Sequence, residues 1–211
     1  MSNAKKYSLI AILLIPIGIA INFVGGQVAT ALKLPIFIDT IGTILVGALT
    51  GPVLGFITGI LSNLLLGITV PSLIPYAVVN GAIGLVAGLC ANRSLFTTPK
   101  KLVIPALLIW ITAQITSIPI TFFVFGGANG SGASIITAFF ASAGQSLITA
   151  VTTSSLITET LDKFISVIIV YLVIKAIPQR TLSQFPIGDL YFAAKPAGAK
   201  SAPENKDEVD W

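Results

Sequence analysis

The sequence predicts an all-α integral membrane protein: a bundle of six transmembrane helices, with an extra re-entrant or outer-face helix before the last crossing. Three observations predict it. Of 211 residues, 55% are hydrophobic and only 9% charged, where a soluble domain would carry roughly 25% charged residues. Mean hydropathy is +0.96. Between Lys6 and Arg93 the only charged side chains are Lys33 and Asp39. The apolar runs are also long and continuous, whereas a membrane β-barrel alternates apolar and polar residues in segments of about ten. The length suits one bundle rather than two domains.

The elements follow in order. Lys5 and Lys6 precede the run Tyr7–Val24. That run exceeds the roughly 7–15 residues of a signal-peptide core, so it reads as the first helix even though Ala29-Thr30-Ala31 could pass for a cleavage site. Ile36–Thr50 and Val53–Ile68 are separated only by Gly51-Pro52, which predicts a tight helical hairpin with proline in the first turn of its second arm. Both arms are short of the about 20 residues that a straight crossing needs, which is tolerable where protein surrounds their ends. Leu73–Cys90 and Leu102–Phe125 supply two further helices, and Ala133–Thr153 and Leu161–Ile177 are the last two runs.

Charge sets the expected orientation. Lys5 and Lys6 place the N-terminus in the cytoplasm by the positive-inside rule. Arg93, Lys100 and Lys101 lie in a loop reached after four crossings, on the same side, and Lys175 and Arg180 end the last helix there too. Both termini on one side require an even number of crossings, yet there are seven apolar runs. Ala133–Thr153 is the one expected not to cross. It carries Gln145 and several Ser and Thr residues and follows the glycine-rich stretch Gly126–Gly132. Residues 1–177 then form the transmembrane domain. Residues 178–211, rich in proline, alanine and charge, are expected to be a disordered cytoplasmic tail.

Following the chain back and forth, the strong polar groups fall in the outer halves of the helices. They are Asn22, Asp39 with Thr40, Ser62 with Asn63, Tyr76 and Asn80, Trp110 with Gln114 and Ser117, and Glu159, Asp162 and Lys163. The inner halves are nearly all aliphatic residues and glycine. One-sided placement predicts a solvated cup open to the outside, an apolar concavity with a few convergent hydrogen-bonding groups. A carboxylate such as Asp39 in apolar sequence is a functional-site candidate by its cost alone, although an acid at a helix start equally serves as a cap. Asn22 and Asn63, each taken singly, read as interhelical hydrogen bonds before ligand contacts. Glu159 and Lys163 are spaced for an i,i+4 ion pair. Gly51, Gly55 and Gly59, then Gly84 and Gly88, repeat at the four-residue spacing that lets helices approach closely.

Other chemistry is disfavoured. There is no histidine and one cysteine, Cys90, so metal ligation is not expected, and no cofactor is expected. Cys90 reads as a small packing residue. No phosphate-binding Gly-x-x-x-x-Gly-Lys-Ser/Thr motif is present. The basic residues sit in caps and tails as topology signals, not as a nucleic-acid surface.

The stretch Asp39-Thr40-Ile41-Gly42 through Gly51-Pro52-Val53-Leu54-Gly55, with Gly59 and Asn63, resembles the second and third helices of the substrate-binding S components of energy-coupling factor (ECF) transporters. Chain size, six helices and the N-terminal orientation match over Tyr7–Ile177. The resemblance implies a non-catalytic subunit in the plasma membrane of a prokaryote. Such a subunit captures a small organic nutrient (a vitamin, vitamin precursor or nucleobase-like compound) from outside. It docks onto a transmembrane coupling (T) component and two cytoplasmic ATPases. The family's ligand region maps to residues 25–35, 69–72 and 126–158, adding Gln27, Asn129 and Gln145. The expected binding set is Asn22, Gln27, Asp39, Asn63, Tyr76, Asn80, Trp110, Gln114, Gln145, Glu159 and Lys163, with Tyr76 or Trp110 facing a ring and the charged groups facing a zwitterionic or amine-bearing ligand. The family's Ala-x-x-x-Ala docking motif is not matched, since Ile15 stands four after Ala11. Ala11, Gly18, Gly51 and Gly55 are the candidate docking residues. The missing N-terminal histidine argues against a nickel or cobalt member. Two rival classes are a proton- or sodium-coupled secondary transporter, which would need an inverted repeat, and a membrane sensory domain, which would need an output domain.

Overall fold

The computed structural model describes residues 8–192, and every regular element among them is helical. Helix α1 (Leu9–Ala31) starts on Ser8, whose hydroxyl accepts from the Ala11 N–H. It continues past Val24 through Gly25 and Gly26. It ends in a Schellman motif: the Lys33 N–H donates to the Thr30 carbonyl and the Leu34 N–H to Ala29. Lys33 occupies the left-handed position at φ 48°, where glycine is usual. α2 (Ile41–Thr50) and α3 (Pro52–Thr69) form the expected hairpin, turning on Gly51 at φ 102° with Pro52 opening the second arm. A 3₁₀ turn (Pro71–Tyr76) leads into α4 (Ala77–Asn92). Another (Pro99–Leu102) leads into α5 (Val103–Pro119), which ends in a π turn (Ile120–Val124).

Four of these stretches, Leu9–Ala31, Pro52–Thr69, Pro71–Asn92 and Pro99–Val124, are long and apolar enough to cross a membrane. α2 is too short to do so alone, but its residues from Gly42 to Thr50 are all buried, so protein rather than lipid surrounds its backbone. Leu13, Ile17, Val24 and Leu108 are among many large apolar side chains that stay exposed on the outside of the bundle, as a lipid-facing belt requires.

The run Ala133–Thr153 is not one helix. α6 (Gly132–Ser142) stops at a second Schellman motif, with Gly144 at φ 91°, its N–H on the Ala141 carbonyl and the Gln145 N–H on Phe140. Ser146 then caps α7 (Leu147–Ala176), accepting from the Thr149 N–H. The last helix therefore begins at Leu147, not Leu161, and at 30 residues is the longest. Gly144, then Ser146, is a stop signal followed by a start signal.

The expectation of a disordered tail from residue 178 is corrected over residues 178–192. A helical turn, α8 (Gln179–Leu182), and a 3₁₀ turn (Gly188–Tyr191) fold back under the bundle, and Leu182, Phe185, Ile187 and Tyr191 are buried. The physical reason lies in α2. A helix leaves its last carbonyls without partners. Here the Ile187 N–H reaches the Leu49 carbonyl at 3.2 Å and the Tyr191 hydroxyl donates to Ala48 at 2.7 Å. Residues 193–211, and Lys5 and Lys6, lie outside the described residues. Replacing Tyr191 by Phe should lower stability by about 1–2 kcal/mol, because a buried carbonyl loses its donor. Thermal melting of purified protein in detergent measures this, and an unchanged melt would mean that the strap acts through apolar packing alone.

The candidate docking residues Ala11, Gly18, Gly51 and Gly55 are all buried within this arrangement, so none offers a free docking face. The glycines make close packing. α3 and α4 run antiparallel, and a Cβ placed on Gly55 would strike the Gly84 carbonyl, while one on Gly59 would strike that of Asn80. Gly42 of α2 and Gly18 of α1 meet in the same way.

Candidate functional site

The antiparallel helices bring one set of ends together: the start of α2, the end of α3, the starts of α4 and α6, the end of α5 and the first half of α7. A cavity lies among them, with about 650 Å³ of atom-free space including its mouth. Asp39, Asn63, Tyr76, Asn80, Glu159 and Lys163, six of the sequence candidates, line it. Leu73, Val79 and Ile83 give it an apolar wall.

Two amides hold one side. Asn80 Nδ2 donates to Asn63 Oδ1 at 2.7 Å and to the Asp39 carbonyl at 3.1 Å. Asn63 Nδ2 donates to the Leu73 carbonyl at 3.1 Å. Both acceptors of Asn80 Nδ2 are oxygens, which fixes the amide's orientation and leaves its Oδ1, buried on the cavity wall, with no partner. Opposite stands the charged group of α7. Lys163 Nζ contacts Asp162 Oδ2, lies 3.2 Å from Glu159 Oε2 and reaches Thr40 Oγ1 at 3.5 Å. Asp162 Oδ1 accepts from the Ile38 N–H at 2.9 Å, pinning a residue held at φ 53°. Glu159 Oε2, although an ion-pair neighbour of Lys163, accepts no aligned hydrogen bond. Ser117 Oγ on the α5 side is likewise buried without a partner.

Asp39 does not cap α2. The N-cap is Thr40, and no side-chain hydrogen bond closes that helix start. Asp39 instead lies on the wall between this cavity and a smaller recess, both of which it lines with Phe37 and Leu73.

Asn129 ties the glycine-rich loop across the mouth. Its Nδ2 donates to Tyr76 Oη at 2.9 Å, and Tyr76 Oη lies 2.7 Å from Thr121 Oγ1. Its Oδ1 accepts from the Ser131 N–H and hydroxyl and from the Ser134 hydroxyl. The π turn at Ile120–Val124 presents Thr121, an irregularity often found at functional sites. The Tyr76 ring stacks on Phe125 at 5.8 Å.

The other five candidates do not reach the cavity. Asn22 is fully buried and joins three helices: its Nδ2 donates to Thr43 at 2.7 Å and Ser62 at 2.9 Å, and its Oδ1 accepts from the Gly42 N–H at 2.7 Å. With its amide satisfied, it is interhelical glue. Gln27 donates to Thr69. Gln114 accepts from the Ser155 hydroxyl at 2.6 Å and donates to the Ser155 carbonyl at 3.2 Å, so it positions a lining residue from behind. Trp110 and Gln145 each bury an unpartnered polar atom away from the cavity.

Missing from the candidate set were Phe37, Thr121, Ser134, Thr137, Ser154 and Thr158, all on the wall. Ser154 and Thr158 repeat four apart with Glu159 beside them, a helical stripe that lies ahead of the apolar run Leu161–Ile177. Comparison with protein-family models, with curated proteins and with solved structures finds no match to this chain.

Proposed function

We propose that this chain is the substrate-capturing membrane subunit of an ATP-driven importer of the ECF type, binding a small organic nutrient from outside the cell. The observation that carries the reading is the one-ended cavity. Buried charge and unfilled hydrogen-bonding atoms gather at one end of the bundle. Toward the other end the core holds Ile44, Leu49, Ala87 and Ile174, and the recess beside the C-terminal strap, of about 760 Å³ of atom-free space, is walled mainly by Phe96, Tyr171, Ile174, Leu182, Tyr191 and Phe192. Such a molecule suits capture. With the buried carboxylates gathered at one end, release on the far side needs work done by a partner.

In this reading α1, α2, α3, α4, α5 and α7 are the crossings and α6 lies at the outer face. At 1.5 Å per residue α7 is about 45 Å long, beyond a ~30 Å hydrocarbon core. Its Ser- and Thr-rich first turns therefore stand above the core, and Glu159 to Lys163 lie near the outer boundary. Arg93, Lys100, Lys101 and Lys175 lie at the opposite, cytoplasmic end, and the plasma membrane of a prokaryote is the setting. The chain performs no catalytic step, and hydrolysis belongs to two ATPase subunits joined through a coupling protein. With the four candidate glycine and alanine positions buried, the docking surface falls on exposed side chains such as Ile12, Phe56 or Leu89.

Affinity purification of the full chain from its native membrane tests this. Co-purification of a polytopic coupling protein with two ATPases is expected. A kinase or regulator in their place would favour a sensory role, and uptake by the chain alone under an ion gradient would favour a secondary transporter.

A further inference from the structure

We infer that the captured compound is a small organic cation with at least two N–H donors on one edge and a flat apolar body, of the amidine, guanidine or aminated-heterocycle type. This rests on the capture reading and specifies its ligand.

The charge balance is the first observation. Asp39, Glu159 and Asp162 are three carboxylates at 8%, 6% and 2% exposure, and among the described residues Lys163 is the one cation lining the cavity. Buried charge without a counter-charge is expensive, and the imbalance is of one sign. Lys163 is not free to receive an anion. An ammonium has three donors; Asp162 and Thr40 take two of them as hydrogen bonds, and Glu159 stands 3.2 Å away as an ion-pair neighbour on a third side. A carboxylate-bearing zwitterion therefore meets no free cation here.

The unfilled atoms are the second, independent observation. Asn80 Oδ1 is buried on the cavity wall with no partner, and Glu159 Oε2 has its Lys163 ion pair but no aligned hydrogen bond; both are acceptors. The Ser117 hydroxyl, also on the wall and unpartnered, can accept as well. Buried polar groups are almost always paired, so a cavity whose open positions are acceptors fits a ligand rich in donors. Tyr76, Val79 and Ile83 supply apolar surface for a flat body.

Three isosteric probes test the inference on purified full-length protein in nanodiscs, by calorimetry: benzamidine, a cation with paired donors; benzamide, its neutral counterpart; and benzoate, its anion. Benzamidine is expected to bind at least about tenfold more tightly than benzamide, and benzoate to show no binding. Each ligand charge-to-acceptor hydrogen bond is of the size that gives such a ratio. In Glu159→Gln the ratio should fall below about threefold. The wild-type ranking needs no variant, so a misfolded mutant cannot rescue the idea. Benzamidine failing to bind at millimolar concentration, or binding no better than benzamide, overturns it. Native mass spectrometry of the same preparation separates the two levels. A retained neutral or anionic metabolite would sink the cation class and leave capture standing. Absence of any small molecule, together with no probe binding and no ATPase partners, would sink both.

Discussion

Replacing Lys163 by methionine is expected to lower stability by about 3–5 kcal/mol, the cost of stripping one partner from a buried ionic group. Methionine keeps the length and apolar stem of lysine, so the loss reports charge and not a cavity. Lys163 is 2% exposed and holds Asp162 and Glu159, which are themselves buried. Without it, two buried carboxylates face each other and Asp39. Asp162 also fixes the Ile38 backbone, so repulsion there propagates to the start of α2 and to Asp39. Denaturant titration of the detergent-solubilised protein measures the loss. The double variant Glu159→Gln/Lys163→Met should recover part of it, because the surviving charge is smaller, and the shortfall from additivity gives the coupling energy. A Lys163→Met protein within about 1 kcal/mol of wild type would mean that the carboxylates are already neutral or solvated, and the cation inference would lose its charge argument.

How far the site was legible follows from where its information resides. Asp39, Asn63, Asn80 and Lys163 stood out because each is polar in a long apolar run, and a single residue suffices to mark the expense. The α2–α3 turn was equally plain, since Gly51-Pro52 combines a left-handed position with a helix-starting proline. Asn22 carried the same signal as Asn63 and means something else. Only the positions of Thr43, Ser62 and the Gly42 N–H show that its amide is used up inside the bundle, and those partners come from two other helices. The split between α6 and α7 was written locally, in Gly144 and Ser146, but an unbroken apolar run concealed it. The strap was concealed by composition. Pro178, Pro186 and the charged end outweigh Leu182, Phe185, Ile187 and Tyr191, whose value arises only because α2 leaves the Ala48 and Leu49 carbonyls open beneath them.

Gly84→Ala is expected to cost about 3 kcal/mol, at the upper end of what one inserted methyl does to a packed interior. The sign is the informative part, because alanine is the better helix former by about 1 kcal/mol. At Gly84 the added Cβ meets the Gly55 carbonyl, and a Cβ on Gly55 would meet the Gly84 carbonyl in return. Both obstacles are backbone, so no rotamer change relieves them and the helix axes must part. Gly67 of α3 is the comparison. There the new methyl would meet the Ile74 side chain at Cγ1 and no backbone atom, so the adjustment falls on one side chain and Gly67→Ala should cost less than Gly84→Ala. The difference reaches the site. Asn63 on α3 and Asn80 on α4 are joined at 2.7 Å, and separating the helices stretches that bond and swings Asn80 Oδ1 away from the cavity. Gly84→Ala should therefore weaken benzamidine binding as well as stability, whereas Gly67→Ala should leave the affinity unchanged. Equal melting temperatures for the two variants would show that α3 and α4 can slide apart at little cost, and that the cavity wall is held by the charged group of α7 rather than by the glycine contact.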